Sequence, residues 1–556
     1  MAMHLLRLIL PLSLLAPLAG AQEALPVTGL PSEDPVVQEI LSTEDVQVMD
    51  HLTELSEGIG PRLTSSDNLT EACQWAAERF RAWGLQNVRL EEWGTFPVGY
   101  NRRVMEGRMT APFKRRLDFA SSAWAAGTDG MQEGPVRIAP ANAAQLEEAR
   151  GNFAGTWVLV ANTRPRFDGP EDSDDFRDQL GRFFDEEGIH GIMRASRNER
   201  VRTGGNYRIS SDNLPTRVSV QLPREQWQEM YRLAEAGEEV RAGFDIEVEF
   251  VPGPIPLYNV IAEIPGETDE LVIIGAHIDS WDGARGAQDN GTGTATTMEA
   301  ARLLAAAGIT PKRTIRFMLW SGEEQGLLGS RAYIEQHPEE MDRISCVLVH
   351  DGGTNACSGI YATAGMMPMF GEVFAPILAH YADHEDSNLR FRLREVPSLP
   401  RGIGSDHDAY LAASNPAPGF FWDQRGETSY GFIHHTQNDR IEFARPDYQD
   451  FTTRVVASAA WRFANAEQAV PRADMFGAPR KRLGFRVAAD GVSVESLTSG
   501  GKAEAAGLQA GDKIVQVDGA AISNRGELRA AIRATGEVTE VVVQRGIEEI
   551  VFRIEW

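Results

Sequence analysis

Short apolar runs alternate with segments of helical periodicity in the second half of the chain. Residues 271–276, 314–320 and 346–349 are almost continuously apolar, as parallel strands buried on both faces are. Residues 293–307 and 325–336, which follow the first two runs, read as helices. This alternation predicts an α/β fold, a doubly wound and mostly parallel sheet with helices on both faces and a site at the carboxyl ends of the strands.

The first part of the chain has a different pattern. Residues 45–60 and 69–84 are amphipathic with helical spacing, and residues 88–92 resemble a first strand. We therefore expect two helices and one strand ahead of the α/β region.

Between residues 119 and 250 the chain changes to short strands, acidic loops and isolated glycines. Residues 156–160 predict a strand, residues 176–187 a helix, and residues 188–193 a turn into a second strand. This segment predicts a β-rich insert that interrupts the α/β pattern.

The tail from residue 481 to residue 556 forms a further predicted unit. Residues 482–487 begin it as a strand, and residues 506–519 combine glycine turns with an alternating strand. We expect a small β domain here.

Length and charge limit the possible functions. A chain of 556 residues is too long for one ordinary core, so two to four domains are expected. With 54 basic and 80 acidic side chains the net charge is −26, which argues against nucleic acid or an anionic membrane as a partner. The three cysteines allow at most one disulfide and imply no disulfide framework.

The amino terminus has the pattern of an export signal. His4 and Arg7 precede an apolar stretch at residues 8–18, and Ala19-Gly20-Ala21 offers a small-x-small cleavage site. The stretch is short and contains two prolines, which disfavours a membrane anchor, and no later segment predicts a membrane span. We predict a signal peptide over residues 1–21 and a secreted or periplasmic protein.

Polar residues with metal-binding chemistry follow the predicted strands. His277 and Asp279 come directly after the first run, and their spacing lets a carboxylate support a metal-bound imidazole. Asp289 lies in a glycine-rich loop that opens the next helix, where an aspartate is often an N-cap but can also present both oxygens to two cations.

Further candidates follow the next two strands. Glu323 and Glu324 come after the second run, and adjacent carboxylates there can divide metal binding from proton transfer. Asp351 follows the third run and offers a hard oxygen ligand. A late loop contributes an imidazole from His434 or His435. Together these side chains predict a metal-activated hydrolase centre.

The order and spacing of these motifs resemble peptidase family M28, and some stretches, such as Asp279-Ser280-Trp281-Asp282, are similar to its plasma glutamate carboxypeptidase branch, which acts on dipeptides. The resemblance implies two Zn²⁺ ions, with Mn²⁺ or Co²⁺ also compatible with the ligands. It implies that Asp289 bridges the ions, His277 and Asp351 complete one site, and Glu324 and His435 complete the other. Glu323 would then be the general base, and Asp279 would orient His277.

Two more resemblances complete the predicted organisation. The segment around residues 155–160 and 187–192 is similar to the protease-associated insert of secreted peptidases, and Leu483-Gly484-Phe485 matches the carboxylate-binding loop of a PDZ domain. The implied boundaries are a catalytic domain over residues 22–118 and 251–470, an insert over residues 119–250 and a PDZ domain over residues 481–556.

Two questions stay open at the sequence level. The enzyme implied by the resemblance is an exopeptidase acting on peptides or dipeptides, as either an aminopeptidase or a carboxypeptidase. The alternative is an inactive protein that binds carboxyl-terminal peptides through its PDZ domain.

Overall fold

A computed structural model describes residues 28–31, 33–161, 173–197, 199–308, 310–477, 483–536 and 538–555. The predicted signal peptide at residues 1–21 lies outside the described residues. The chain divides into two compact units, Met1–Met475 and Phe476–Trp556. None of the helices in the described ranges is both long enough and apolar enough to cross a bilayer.

The first unit contains most of the helices and strands. Its helices are α1 (Pro35–Ser42), α2 (Val48–Thr53), α3 (Asp67–Ala82), α4 (Ala143–Ala149), α5 (Ser173–Glu187), α6 (Arg224–Glu235), α7 (Thr292–Ala306), α8 (Leu328–Gln336), α9 (Met367–Val373), α10 (Ala375–His380), α11 (His407–Ala412), α12 (Tyr430–Ile433) and α13 (Pro446–Asn465). Its strands are β1 (Gln86–Ala111), β2 (Arg115–Arg116), β3 (Ala120–Ser121), β4 (Gln132–Ile138), β5 (Trp157–Val160), β6 (Gly191–Ala195), β7 (Val218–Leu222), β8 (Arg241–Ile264), β9 (Thr268–His277), β10 (Arg313–Trp320), β11 (Ile344–Val349), β12 (Ala356–Ala362), β13 (Arg392–Glu395) and β14 (Gly419–Arg425).

These strands form one mixed sheet. Its order is β13-β12-β14-β11-β9-β10-β8-β4-β5-β6-β7-β3, and β1 pairs with β8 and β2. The centre, from β14 through β11 and β9 to β10, is parallel. The three apolar runs of the sequence are β9, β10 and β11, so the predicted parallel core is confirmed.

Helices cover both faces of this centre. Leu271 and Ile273 of β9 pack in one core with Tyr333 of α8 and Tyr410 of α11. The alternate β9 side chains point to the opposite face, where α7 and α13 pack against the strand, and those side chains are buried too. The predicted α/β class with helices on both faces is confirmed.

The first strand is much longer than its apolar pattern indicates. β1 pairs antiparallel with β8 from Gln86 opposite Glu263 to Ala111 opposite Arg241, with several register shifts. Such bulges disrupt the alternation of faces, which explains why residues 88–92 alone were identifiable as a strand. This long ribbon carries the sheet outward to β4 and the strands beyond it.

Two predicted helices end or begin elsewhere. The helix predicted over residues 45–60 changes after Thr53 into a π-helical segment, Glu54–Ile59, which ends at Gly60 with φ 94°. The helix predicted from residue 325 begins at Leu328, because Gly326 and Leu327 have φ values of 112° and 61° that interrupt helical hydrogen bonding.

The second unit is a small β-rich fold with its own core. It contains β15 (Phe485–Val487), β16 (Val494–Leu497), α14 (Lys502–Ala505), β17 (Lys513–Val517), β18 (Ala520–Ala521), α15 (Arg525–Ala534), β19 (Val538–Arg545) and β20 (Glu548–Glu555). One core joins Leu483, Leu508, Ile514 and Leu528. A small, separate β domain after the α/β unit is therefore confirmed.

Candidate metal centre

The carboxyl ends of three neighbouring strands bring the predicted site residues together. His277 is the last residue of β9, Glu323 and Glu324 follow β10, and Asp351 follows β11. Because β10, β9 and β11 are parallel neighbours, these ends lie at one edge of the sheet. His277 is fully buried, and Asp351 is nearly so.

Asp289 joins this edge from the turn before α7. Its Oδ1 lies 3.4 Å from Nε2 of His277, and its Oδ2 lies 3.4 Å from Nε2 of His435. The residue at the N-cap of α7 is Gly291, so the Asp289 carboxylate does not cap the helix. It therefore faces one imidazole with each oxygen.

Each imidazole also meets a second carboxylate. Nε2 of His277 lies 3.5 Å from Oδ1 of Asp351, and Nε2 of His435 lies 2.9 Å from Oε2 of Glu324. His434 stacks on His435 and has its Nε2 3.8 Å from Oδ2 of Asp289. The candidate ligands thus form two groups that share Asp289.

The donor atoms in these groups fit a divalent metal. His277, Asp289 and Asp351 offer ligand atoms within 4.8 Å of one another, and Asp289 does the same with His434 and His435. Within the described chain, buried atoms of the first group and of Glu324 have no hydrogen-bond partner: His277 Nε2, Asp289 Oδ2, Asp351 Oδ1 and Glu324 Oε1. Buried polar atoms are normally partnered, and imidazole with carboxylate and no thiolate suits zinc.

A hydrogen bond on the side of the ring away from the cluster fixes the tautomer of His277. Its Nδ1 lies 3.0 Å from the carbonyl oxygen of Asp279 and 3.6 Å from the carboxylate of the same residue. A carbonyl only accepts, so this bond puts a proton on Nδ1 and leaves Nε2 facing the cluster. The sequence suggested the Asp279 carboxylate for this contact, but the main-chain carbonyl is closer.

The Asp279 carboxylate has other partners. Its Oδ1 accepts from the backbone N–H of Glu323 at 3.2 Å, and its Oδ2 accepts from the N–H of Glu324 at 3.2 Å. The hydroxyl of Thr64 also donates to Oδ2, at 3.0 Å. Asp279 therefore fixes the turn that carries both glutamates.

Burial and neighbouring charges shift the pKa values of the acidic side chains in the cluster. Burial raises the pKa values of Glu323 and Glu324 well above the usual range, and neighbouring carboxylates raise them further. Burial would also raise the pKa of Asp351, but the adjacent His277 outweighs it and lowers this pKa to about 2. Glu323, with Oε2 3.9 Å from Nε2 of His277, lies beside the candidate ligands.

Asp439 supports the turn that holds Asp289. Its Oδ1 accepts from the backbone N–H groups of Gln288 at 2.6 Å and Asp289 at 3.3 Å. Asp439 therefore holds the backbone of the turn that carries Asp289.

The loop that carries His435 is held by residues between β6 and β7. The N–H of Thr203 donates to the His435 carbonyl at 3.0 Å, and the N–H of Val201 donates to Oε1 of Gln437 at 2.9 Å. Nη1 of Arg200 donates to the carbonyl of Gly431 at 2.8 Å. These contacts are long-range in sequence, and no local pattern signals them.

Two further side chains support the site, and neither was predicted from the sequence to do so. Arg62 is buried beneath the segment that joins His277 to Asp289. Trp281 places its ring edge-on to His435, with centroids 6.2 Å apart. For Trp281 the available signal in the sequence was its place in the stretch Asp279-Ser280-Trp281-Asp282.

Comparison with known proteins finds two matching families and several relatives. Residues 259–460 match the model of peptidase family M28, and residues 493–545 match that of the PDZ domain. Carboxypeptidase Q of Mus musculus is 26% identical over 437 residues, which cover 75% of this chain and 86% of that protein. The probable leucine aminopeptidase 2 of Aspergillus oryzae is 24% identical over 284 residues, covering 47% and 55%.

A solved structure has the same fold. The peptidase M28 precursor from Shewanella amazonensis SB2B superimposes with a TM-score of 0.54 at 22% identity, covering 79% of this chain and 97% of that one. The family match and the relatives support an enzyme rather than a protein that only binds peptides. The chain contains a peptidase family M28 domain and a C-terminal PDZ domain, and it is a metallo-exopeptidase.

Proposed function

We propose that the chain is a dinuclear zinc exopeptidase that removes terminal residues from peptides or splits dipeptides. The observation that carries this proposal is the placement of Asp289, whose two carboxylate oxygens each lie 3.4 Å from a different imidazole. A carboxylate shared in this way suits two adjacent ions.

The ligands divide into two sets. Asp289 would bridge the ions, His277 and Asp351 would complete one site, and Glu324 and His435 would complete the other. The 2.9 Å separation of Nε2 of His435 from Glu324, against 3.8 Å between His434 and Asp289, supports His435 as the ligand.

Glu323 has the position of a general base. When bound, the ions would polarise the scissile carbonyl and make a water molecule more acidic. The Glu323 carboxylate would accept the proton of the attacking water and then donate it to the leaving amine. Asp279 accepts from the backbone N–H of Glu323 and so would hold the base in place for this transfer.

The test of this proposal is the variant Glu323→Ala. We expect dialysed parent protein and variant each to retain two zinc ions per chain by elemental analysis. Turnover of a dipeptide should fall by about 10²–10⁴-fold, because general-base catalysis contributes that much. The exposed Glu335→Ala, on α8, is the matched control and should keep parent turnover.

Two results would contradict parts of the proposal. One zinc ion per parent chain would rule out the dinuclear site. Turnover of Glu323→Ala within a few-fold of the parent, with the metal retained, would rule out Glu323 as the base.

The relatives favour action at the carboxyl terminus. Carboxypeptidase Q aligns over 75% of the chain, whereas the probable leucine aminopeptidase aligns over 47%. Digestion of peptide pairs blocked at either terminus, with and without chelator, decides between the two. Cleavage of N-blocked but not C-blocked peptides supports a carboxypeptidase, and the reverse supports an aminopeptidase.

The remaining parts of the proposal concern location and accessory domains. Export to the periplasm or exterior rests on the signal-peptide pattern of residues 1–21. We place the protease-associated-like insert at residues 119–250 and the PDZ domain at residues 481–556. Gly484 has φ 82°, as a tight carboxylate-binding loop before β15 requires, and we propose that this loop binds carboxyl-terminal peptides.

A further inference from the structure

Arg62 is a fully buried cation whose side chain, among the residues that the structure describes, donates to four main-chain carbonyls. Nε donates to Ile278 at 2.7 Å, and Nη2 donates to Gly286 at 2.6 Å. Nη1 donates to Gly60 at 3.0 Å and to Arg285 at 3.3 Å. A planar guanidinium can reach all four oxygens at once, which a lysine ammonium cannot do.

Three of these carbonyls belong to one irregular segment. Ile278 follows the ligand His277, while Arg285 and Gly286 lie just before the turn with the bridging Asp289. The backbone of Arg62 adds a reciprocal pair with Ser280, since its N–H donates to the Ser280 hydroxyl at 3.1 Å and its carbonyl accepts from the Ser280 N–H at 3.0 Å. Arg62 therefore ties together both ends of the connection between two ligands.

The charge of Arg62 also matters at this place. Burial lowers its pKa to about 10, but the carboxylates of Asp439, Asp279, Asp289 and Glu324 act in the opposite direction. The side chain is therefore cationic at neutral pH. A buried positive charge beneath the cluster offsets part of the repulsion among these carboxylates.

We infer that Arg62 is a positioning residue, which holds the segment between His277 and Asp289 so that the two ligands stay at metal-binding separation. This inference rests on the proposed metal site. In the described part of the chain the hydrogen bonds of its side chain go to main-chain carbonyls, so Arg62 would act through the main chain.

The test compares three variants by zinc affinity of the folded protein, measured by chelator competition, and by melting temperature. Arg62→Met removes the four side-chain hydrogen bonds. Arg62→Lys keeps the positive charge but lacks the planar guanidinium that makes these bonds. Arg462→Met is the control, because Arg462 is also buried and donates to the carbonyls of Pro31, Glu372 and Val373, and at 3.4 Å to the carboxylate of Asp34, at a place away from the cluster.

We expect Arg62→Met to weaken zinc binding by about 10–100-fold, as loss of a residue that orients metal ligands does. The zinc affinity of Arg62→Lys should lie between those of the parent and Arg62→Met. Arg62→Lys serves as the test if Arg62→Met does not fold. Arg462→Met should lower the melting temperature but keep zinc affinity within about twofold of the parent.

The outcomes separate this inference from the proposed function. Parent-like zinc affinity in both Arg62 variants overturns the positioning role and leaves the metal site intact. An equal loss of zinc affinity in Arg462→Met also overturns the positioning role, because the loss would then follow from reduced stability of the fold. Failure of the parent to bind zinc overturns the proposed function itself.

Discussion

At the scale of single residues, Asp279 is the side chain that controls the turn with both glutamates. Its two oxygens accept from the N–H groups of Glu323 and Glu324 and from the hydroxyl of Thr64. In Asp279→Asn one oxygen becomes an NH₂ group, which cannot accept, so one N–H of the turn loses its partner. We expect kcat to fall by about 10–100-fold.

Steady-state kinetics at saturating zinc check this expectation, and Thr64→Val is the matched control. That variant removes one donor to Asp279 but leaves the two backbone bonds in place, so its kcat should fall by less than about fivefold, the value of one ordinary hydrogen bond. A parent-like kcat in Asp279→Asn would show that the turn holds its shape without the carboxylate.

At the scale of elements, the loop with His435 depends on a neighbour that is distant in sequence. The segment after β6 pairs with it through Val201, Thr203 and the side chain of Gln437. Gln437→Ala removes the acceptor of the Val201 N–H, a loss of about 1 kcal/mol. We expect kcat/KM to fall about fivefold and amide exchange in residues 431–437 to accelerate.

The matched variant is Gln437→Glu, whose carboxylate can accept the same bond from Val201. It should keep kcat/KM within about twofold of the parent, because the acceptor is retained. Equal losses in the two variants would mean that the shape of Gln437 matters rather than its bond to Val201.

Part of the site can be predicted from local sequence patterns, and part depends on the tertiary fold. The ends of β9, β10 and β11 could be predicted because buried parallel strands are apolar throughout and the polar residues after them mark one edge. The four carbonyls that Arg62 binds could not be predicted, since main-chain acceptors have no signature in the sequence. The pairing of Thr203 with His435 likewise depends on topology rather than on local pattern.

At the scale of the whole molecule, the two compact units have separate hydrophobic cores. Multidomain chains of this kind generally unfold in more than one transition. A destabilising change within the first unit should therefore lower one transition and leave the transition of the PDZ unit in place. Replacement of Glu299 on α7 tests this expectation, because its effect on the free energy of unfolding should depend on pH.

The Glu299 carboxylate is buried and fully engaged. It accepts from Arg302 at 2.8 and 2.9 Å, from the N–H of Gln47 at 2.8 Å, and lies 2.9 Å from Nε2 of His51. Burial alone would raise its pKa, but these partners outweigh burial and lower it. Its stabilising effect is therefore complete above the ordinary glutamate pKa of about 4.3 and is lost as the pH falls through the lowered folded-state value.

Glu299→Gln should lower the free energy of unfolding of the first unit by about 2–4 kcal/mol at pH 7. The difference from the parent should shrink as the pH falls below about 4.3, where the carboxylate of the unfolded chain takes up a proton, and should vanish below the lowered folded-state pKa. Calorimetry at several pH values measures both effects. Asp45→Asn is the matched control, because Asp45 contacts the same Arg302 at 3.0 Å but is exposed, so its loss should lower the stability far less than Glu299→Gln does. A difference between Glu299→Gln and the parent that stays constant down to acid pH would show that the contacts of Glu299 do not depend on its charge.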